Sequence, residues 1–115
     1  MLGAGGCIPA SSGFLSALRS LTSAHGAMDV VMNIAGISSW GTVQSLEHSH
    51  WQRLVDVNLM GQVYGAMTAL VHLKREGRGA LIHISSVEAK RSFPFHSAYG
   101  ASKHGIDGFL EALRV

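Results

Sequence analysis

Tyr99 and Lys103 are the two residues of this chain whose types and spacing most directly indicate chemistry. They stand four residues apart, and on a helix this spacing brings the phenol and the ammonium to one face. A phenol exchanges its proton poorly at neutral pH, but an adjacent fixed positive charge favours the phenolate. The pair could therefore act as a general acid and base.

Ser86 lies thirteen residues before Tyr99 and follows the short apolar run 80–84. Such a run is typical of a buried strand. Open α/β sheets bind their ligands at the carboxyl ends of their strands, so we expect the Ser86 hydroxyl at a ligand-binding edge. The combined spacing of Ser86, Tyr99 and Lys103 is specific enough to predict one catalytic site.

Helices and strands alternate in the elements that would position these side chains. A helix is predicted from Ser11 or Ser12, with an ordinary core-packing stripe formed by Phe14, Leu15, Leu18 and Leu21, and Gly26 as its stop. The other predicted elements are a strand over 29–34, a helix opened by a capping box at 49–52 and running to about 74, a strand over 80–84 and a helix from about 98 to the end. This order predicts an α/β fold, a partial Rossmann-like, doubly wound parallel sheet with three helices and two recognisable strands.

The composition is that of a single folded domain over 1–115, with 47% hydrophobic and 14% charged residues. The net charge of +2 is scattered, which argues against a nucleic-acid partner. A single cysteine, Cys7, excludes an internal disulfide framework and favours a reducing, cytoplasmic location. No continuous apolar run approaches a membrane span, so no membrane partner is expected. The seven histidines show no metal-ligand spacing, and we expect no metal.

These motifs resemble those of the short-chain dehydrogenase/reductase family. The resemblance rests on Ile84-Ser85-Ser86 and Tyr99-Gly100-Ala101-Ser102-Lys103, and on two upstream marks, Asn33-Ile34-Ala35-Gly36 and Val57-Asn58-Leu59-Met60-Gly61. All four occur in the family's order and at its spacing. They cover about 11–115 but only the middle of the family pattern. The resemblance implies a partial dinucleotide-binding domain that interconverts an alcohol and a carbonyl of a small-molecule substrate with NAD or NADP.

The resemblance also implies roles for individual residues. Tyr99 would exchange a proton with the substrate oxygen, and Ser86 would polarise and orient that oxygen. Lys103 would favour the phenolate and bind the nicotinamide ribose, while Asn58 would hold a water that links Lys103 to solvent. The cofactor-binding residues implied by the resemblance are Asn33, Ala35, Gly36, Tyr99 and Lys103. Taken without the resemblance, Asn33 is about as compatible with a turn as with a ligand contact.

The glycine-rich strand-loop-helix of the family is not recognisable before Asn33. The glycines of 1–10 follow no strand, and we expect a flexible start there. A rival interpretation is therefore a truncated, catalytically inactive fragment, acting at most as a dimerising module, that binds dinucleotide negligibly. A Ser/Tyr/Lys hydrolase is a weaker alternative, because no G-x-S-x-G elbow surrounds Ser86.

Two helices carry stripes of small residues that allow close packing. The first stripe consists of Asn58, Gly61, Gly65 and Ala69, and the second of Ala101, Gly105, Gly108 and Ala112. Such stripes serve either packing within the chain or contact between subunits. We expect a homo-oligomer formed through 50–74 and 98–115.

Overall fold

The computed structural model describes residues 9–114, and over these residues the chain forms three helices and a two-stranded parallel sheet. The elements are α1 (Pro9–His25), β1 (Val30–Asn33), α2 (His48–Glu76), β2 (Ala80–His83) and α3 (Ser97–Leu113). This confirms the predicted partial α/β fold and its order of elements. The predicted flexible start falls mainly on residues 1–8, which lie outside the described part of the chain.

The two strands pair in parallel from Val30 opposite Ala80 to Asn33 opposite His83. Successive side chains of a strand point to opposite faces, so alternate residues of β1 differ in exposure. Val31 and Asn33 are each 7% exposed, whereas Met32 between them is 53% exposed. One face of the sheet is therefore covered and the other is open.

Helix α2 covers the buried face of the sheet. Ala69 and Leu73 of α2 form the core cluster with Val31 of β1, and Met28 and Leu81 pack against it. Helix α1 packs mainly on the second half of α2, and α3 packs on its first half and on the turn Val87–Ala89. The core is small because two strands offer little surface for the helices to cover.

Helix α2 contains a π-helical segment at Val55–Met60 between α-helical stretches His48–Leu54 and Gly61–Glu76. Its buried residues Leu54, Asn58 and Gln62 follow one another at four-residue intervals. In a regular α-helix, each four-residue step drifts about 40° around the axis. The wider turns of the π segment reduce this drift and keep all three side chains directed inward.

Several predicted boundaries are corrected by the structure. Helix α1 begins at Pro9 instead of Ser11 or Ser12, because proline is well tolerated in the first turn of a helix. Helix α2 begins at His48, which places Ser49 inside the first turn, where its hydroxyl donates to Glu47 Oε2 at 3.3 Å. The predicted stop at Gly26 is confirmed by its φ of +82°.

The predicted core stripe of α1 is only partly correct. Leu18 is 6% exposed, but Leu15 and Leu21 are exposed, since α1 contacts α2 along a narrow line. The Phe14 side chain lies outside the described part of the structure. Helix α1 thus contributes one described buried leucine to the core.

The small residues of α2 and α3 pack largely within the chain. A Cβ on Gly65 would overlap the Asn33 amide, and Ala69 is completely buried in the core cluster. A Cβ on Gly105 would stand 3.2 Å from Leu59 Cδ2, whereas one on Gly108 would meet no other part of the described chain within 4 Å. Close packing of this fold already accounts for Gly65, Ala69 and Gly105.

Helix α2 is long and apolar enough to cross a membrane by length and composition, with a mean hydropathy of 1.2 over 18 residues. Of that window, 39% is buried inside the structure. Core helices of proteins that span no membrane give the same values, so this is weak evidence. The absence of a membrane partner stays a prediction.

Candidate active site

Helix α3 brings Tyr99 and Lys103 together on one face, as their spacing predicts. The Lys103 ammonium lies 5.7 Å from the centroid of the Tyr99 ring. Lys103 is only 3% exposed, and its Nζ donates to the carbonyl oxygen of Ile84 at 3.1 Å. Because Ile84 directly follows β2, this bond fixes the ammonium between α3 and the carboxyl end of the strand.

Asn58 connects the loop after β1 with α3. Its Oδ1 accepts from the backbone N–H of Ile37 at 2.8 Å, and its Nδ2 donates to the carbonyl of Ile37 at 2.8 Å and to Ser102 Oγ at 3.0 Å. The Ser102 hydroxyl in turn donates to the carbonyl of Tyr99 at 2.7 Å. Asn58 is completely buried. The amide thus links the turn that carries Tyr99 to the end of β1.

Gly36 lies beside Asn58 and Lys103. A Cβ at Gly36 would stand 3.4 Å from Asn58 Oδ1 and 3.5 Å from Lys103 Nζ. The absence of a side chain leaves the polar atoms of these two residues open on that side. Gly36, Asn58, Tyr99 and Lys103 are therefore brought together by the fold.

Ser86 caps the short 3-10 turn Val87–Ala89 that follows β2. Its Oγ accepts a hydrogen bond from the backbone N–H of Glu88 at 3.2 Å. A hydroxyl that accepts one bond still has its own hydrogen to donate. Ser86 lies two residues after Ile84, whose carbonyl binds Lys103, so it belongs to the same end of the sheet.

Asn33 and Ala35 lie in a different environment, at a cleft of about 390 Å³ beside β1. The cleft is lined by Met32, Asn33, Ile34, Ala35, Val57, Gly61, Gln62 and Tyr64. The Asn33 amide donates to the carbonyl of Gln62 at 3.3 Å, beneath α2. The structure thus gives Asn33 a packing contact, and its role in cofactor binding stays a prediction, as does that of Ala35.

His83 belongs to this buried polar group under α2. Its Nδ1 lies 2.6 Å from Gln62 Oε1 and therefore carries the hydrogen. The Asn33 amide nitrogen, 3.4 Å from the same atom, makes a contact there because both atoms are donors. Burial lowers the pKa of His83 below its usual value. Its reading as an ordinary strand residue agrees with its place in β2, and its neutral form suits the site.

A latch on the other side of the loop joins Ser85 and Lys90 to Asp107 of α3. Ser85 Oγ donates to Asp107 Oδ1 at 2.6 Å, and Lys90 Nζ lies 2.8 Å from Asp107 Oδ2. The hydrogen bond from Lys90, followed by that from Ser85, lowers the pKa of the Asp107 carboxyl. The latch holds the residues on both sides of Ser86 against the catalytic helix.

Sequence reasoning missed a buried pair near Tyr99. His96 Nδ1 lies 2.6 Å from Glu88 Oε1, and the two side chains are 17% and 7% exposed. The Trp40 ring contacts His96 edge-on, with centroids 4.3 Å apart. A charged residue directly after a predicted strand edge was the one available signal for Glu88. Over residues 9–114 no group of three His, Cys, Asp or Glu side chains is arranged to hold a metal ion.

Comparisons with known proteins were made for the whole chain. Residues 10–115 match the family described as short chain dehydrogenase. The dehydrogenase/reductase SDR family member 7B of Danio rerio is 35% identical over 100 residues, which are 87% of this chain and 32% of the relative. A 3-alpha-(or 20-beta)-hydroxysteroid dehydrogenase of Mycobacterium tuberculosis is 33% identical over 100 residues, 87% of this chain and 38% of the relative. The chain spans about a third of the length of these curated relatives.

Solved structures resemble the fold at the same partial coverage. ElxO with NADP bound superposes with a TM-score of 0.82 and 26% identity, over 86% of this chain and 40% of ElxO. The ligand-free aldohexose dehydrogenase of Thermoplasma acidophilum gives a TM-score of 0.85 and 27% identity, over 97% of this chain and 47% of the enzyme. These values show that α1 to α3 are arranged as in larger dehydrogenases.

Proposed function

The chain belongs to the short chain dehydrogenase family, and on this premise we propose that it is part of a nicotinamide-dependent oxidoreductase that interconverts an alcohol and a carbonyl. The observation that carries the proposal is the ammonium of Lys103, 5.7 Å from the Tyr99 ring and held by the Ile84 carbonyl. A fixed cation beside a phenol favours proton exchange by that phenol. NADP in ElxO, a structural relative, supports the cofactor class and leaves NAD or NADP open.

In this proposal the four residues divide the work. Tyr99 gives its proton to the substrate oxygen during reduction and takes it back during oxidation. Ser86 donates a hydrogen bond to the same oxygen with its free hydroxyl hydrogen, since its Oγ already accepts from Glu88. Lys103 supplies the charge beside Tyr99 and holds the ribose. Asn58 Oδ1 keeps one lone pair beyond its bond to Ile37, and this could accept the proposed water.

The residues present fit one end of the cofactor. The open side of Gly36, next to Asn58 Oδ1 and Lys103 Nζ, is a cradle that a Cβ would begin to fill. When bound, the nicotinamide ring supplies or accepts the hydride. The chain's own contribution is to orient the substrate oxygen and to move its proton. A glycine-lined helix N-terminus for the pyrophosphate is not recognisable in residues 9–114.

Substitution of Tyr99 by Phe tests the proposed acid/base. In a protein of full family length that contains these residues, Tyr99→Phe should lower kcat by about 10²–10⁴-fold, because general acid/base groups contribute that much. Cofactor binding, measured by calorimetric titration, should change little because only the hydroxyl is lost. Tyr64→Phe on α2 is the matched control and should leave kcat unchanged. An unaltered kcat in Tyr99→Phe would exclude its catalytic role.

The alternative, a catalytically inactive dimerising module, has less support. Gly65 and Ala69, two residues of the small-residue stripe on α2, pack inside the chain and cannot also face another subunit. A homo-oligomer could still form through the outer side of α2, where Met67 and Val71 are exposed. We retain the homo-oligomer and the cytoplasmic location as proposals.

A further inference from the structure

The Glu88–His96 pair is the most constrained group near Tyr99 without a role in the proposed mechanism. Glu88 is 5% exposed, and its Oε1 lies 2.6 Å from His96 Nδ1. Its second oxygen, Oε2, is buried with no hydrogen-bond partner among residues 9–114. An ionised buried carboxylate is costly unless a positive charge is close. An imidazolium at His96 is the charge that the described surroundings of Glu88 offer.

His96 and Lys103 both approach the ring of Tyr99. The His96 and Tyr99 rings meet edge to face, with centroids 5.8 Å apart and an interplanar angle of 70°. The Lys103 ammonium lies 5.7 Å from the centroid of the same ring. Helix α3 thus begins with a phenol that has a lysine on one contact and an imidazole on another.

Glu88 is also built into the turn that carries Tyr99. A Cβ on Gly100 would overlap Ser92 and would stand 3.8 Å from Glu88 Oε2, so this carboxylate lies under the first turn of α3. The Ser92 hydroxyl donates to the Glu88 carbonyl at 3.3 Å, and the Gly100 N–H donates to the His96 carbonyl at 2.7 Å. The pair and the first turn of α3 therefore form one packed unit.

The backbone of Glu88 reaches the second predicted catalytic residue. Its N–H donates to Ser86 Oγ at 3.2 Å, while its side chain holds His96. One residue thereby fixes the orientation of the Ser86 hydroxyl and of the ring that contacts Tyr99. Such a double connection is absent from the Lys90–Asp107 latch of the same loop, which contacts Ser85 instead.

We propose that Glu88 and His96 are positioning residues for Tyr99, in which the Glu88 carboxylate holds a protonated His96 against the phenol, so that Tyr99 has a second cation beside Lys103. The catalytic meaning of this arrangement rests on the proposed function, but the arrangement itself does not. The charged or titratable groups that face His96 are Glu88 from the 3-10 turn and Tyr99 from α3, with Lys103 one ring further away. Trp40, from the loop after β1, covers the remaining side without a charge.

A ring-resonance titration of the 115-residue chain tests the arrangement without any need for activity. In a Tyr64→Phe background Tyr99 is the sole tyrosine, and its ¹³C-labelled ring can be followed by NMR together with the imidazole resonances. We expect the Tyr99 ring resonances to move at the same pH as those of His96. In His96→Gln this movement should disappear, and in Lys90→Ala, the matched control, it should persist.

Two results would overturn the proposal. One is a Tyr99 ring whose resonances stay constant while His96 titrates, and the other is the same movement in His96→Gln as in the parent. Glu88→Gln keeps the shape of the side chain and provides the second variant if His96→Gln fails to fold; the common movement should be lost there as well.

Kinetics separate this inference from the proposed function. In the full-length protein Glu88→Gln should lower kcat between about 10-fold and 100-fold with an unchanged KM, because a misplaced catalytic group costs rate. If Tyr99→Phe proves fully active while the resonances still move together, the proposed function fails and the positioning contact stands. If Tyr99→Phe is inactive and Glu88→Gln is unaffected, the positioning role fails alone.

Discussion

Asn58 uses its amide group for three hydrogen bonds that join the loop after β1 to α3. Both bonds to Ile37 engage one peptide unit from its two sides, as a neighbouring strand would. The side chain therefore takes the place of a missing ladder partner at the point where β1 ends. A buried amide with this many bonds is expensive to replace, because its partners stay buried without bonds of their own.

Replacement of Asn58 by Ala should lower the free energy of unfolding by about 2–4 kcal/mol, since it leaves the Ile37 peptide group unsatisfied. The measurement is the urea midpoint of the 115-residue chain. Gln52→Ala on the same helix is the control, because the Gln52 amide makes one exposed bond to Asp56 and should contribute less than about 0.5 kcal/mol. Equal effects of the two substitutions would contradict the structural role of Asn58.

The sequence predicts single residues well where a motif carries them. Tyr99, Lys103 and Asn58 were found through spacing and family resemblance, and the fold brings these three together with Gly36. Glu88 and His96 could not be found in the same way, because their contact depends on the path of the loop between them. Eight residues of irregular backbone separate the two side chains, and no periodicity applies to such a segment.

At the scale of elements, the contact between α2 and β1 depends on a missing side chain at Gly65. A Cβ there would overlap the Asn33 amide, which is 7% exposed and bonded to the Gln62 carbonyl. Gly108 of α3 is the opposite case, because no other part of the described chain lies within 4 Å of its Cβ position. The two glycines share helical backbone and differ in packing.

The substitutions Gly65→Ala and Gly108→Ala should therefore have effects of opposite sign. Gly65→Ala should lower the free energy of unfolding by about 1–3 kcal/mol through overpacking. Gly108→Ala should raise it by roughly 0.5–1 kcal/mol, because alanine is the better helix former. Thermal melts of both variants against the parent chain measure this, and stabilisation by Gly65→Ala would show that the α2–β1 contact is looser than described.

The loop before α3 depends on the Asp107 latch, and its contribution should depend on pH. The folded chain holds the pKa of Asp107 below its unfolded value, chiefly through Lys90 and then Ser85. The latch thus stabilises the fold fully above the unfolded pKa of about 3.9 and loses its effect as the pH falls through the lower, folded pKa.

Comparison of the parent chain with Asp107→Asn isolates this contribution from other carboxylates. The difference between their urea midpoints should be constant from pH 7 to about pH 5 and should shrink toward zero as the pH falls to about 2. Lys90, whose pKa is raised mainly by its hydrogen bond to Asp107, limits the latch only in strong alkali. A midpoint difference that does not vary with pH would indicate that Asp107 acts through shape alone.

Element order was predictable, and element ends were less so. Apolar runs and glycine stops identify β1, β2 and the end of α1, since these signals lie within a few residues of each other. The start of α2 was misplaced by the capping-box spacing at Ser49, because Glu47 takes the cap position without a side-chain bond. The exposure of Leu15 and Leu21 could not be predicted either, as it depends on how little of α1 touches α2.

For the whole molecule, the dominant feature is the open face of the sheet. Its apolar residues are Val30, Met32, Ile34, Ile82 and Ile84, each between 39% and 60% exposed. Both outer edges of the two-stranded sheet are also unpaired among residues 9–114. Two strands with one uncovered face have marginal stability of their own, and apolar patches of this kind promote association.

The 115-residue chain should therefore self-associate through the open sheet face more strongly than through its helices. Met32→Lys places a charge on this face and should shift the chain toward monomer in sedimentation equilibrium. Met67→Lys on the outer side of α2, where the side chain is 63% exposed, is the matched control. Dissociation by Met67→Lys alone would favour the helix-mediated oligomer instead.

The sequence indicates the fold class of the whole chain but not the division of its surfaces. Small-residue stripes on α2 and α3 fit both internal packing and subunit contact, and only the positions of Asn33 and Leu59 decide between them for Gly65 and Gly105. The open sheet face was hidden in the sequence for a related reason. Its residues are apolar like those of a fully buried parallel strand, so composition alone does not tell which side is covered.

The π-helical segment of α2 makes the length of this helix a functional quantity. Each residue of a helix turns the chain by about 100°, so removing one residue between 55 and 60 would restore regular winding and rotate one half of α2 against the other. Leu54 and Gln62 could no longer both face inward, and Asn58 would leave either Ile37 or Ser102. A change that alters no side-chain chemistry would thus separate the end of β1 from the helix of Tyr99. In this helix, insertions and deletions should be less tolerated than substitutions.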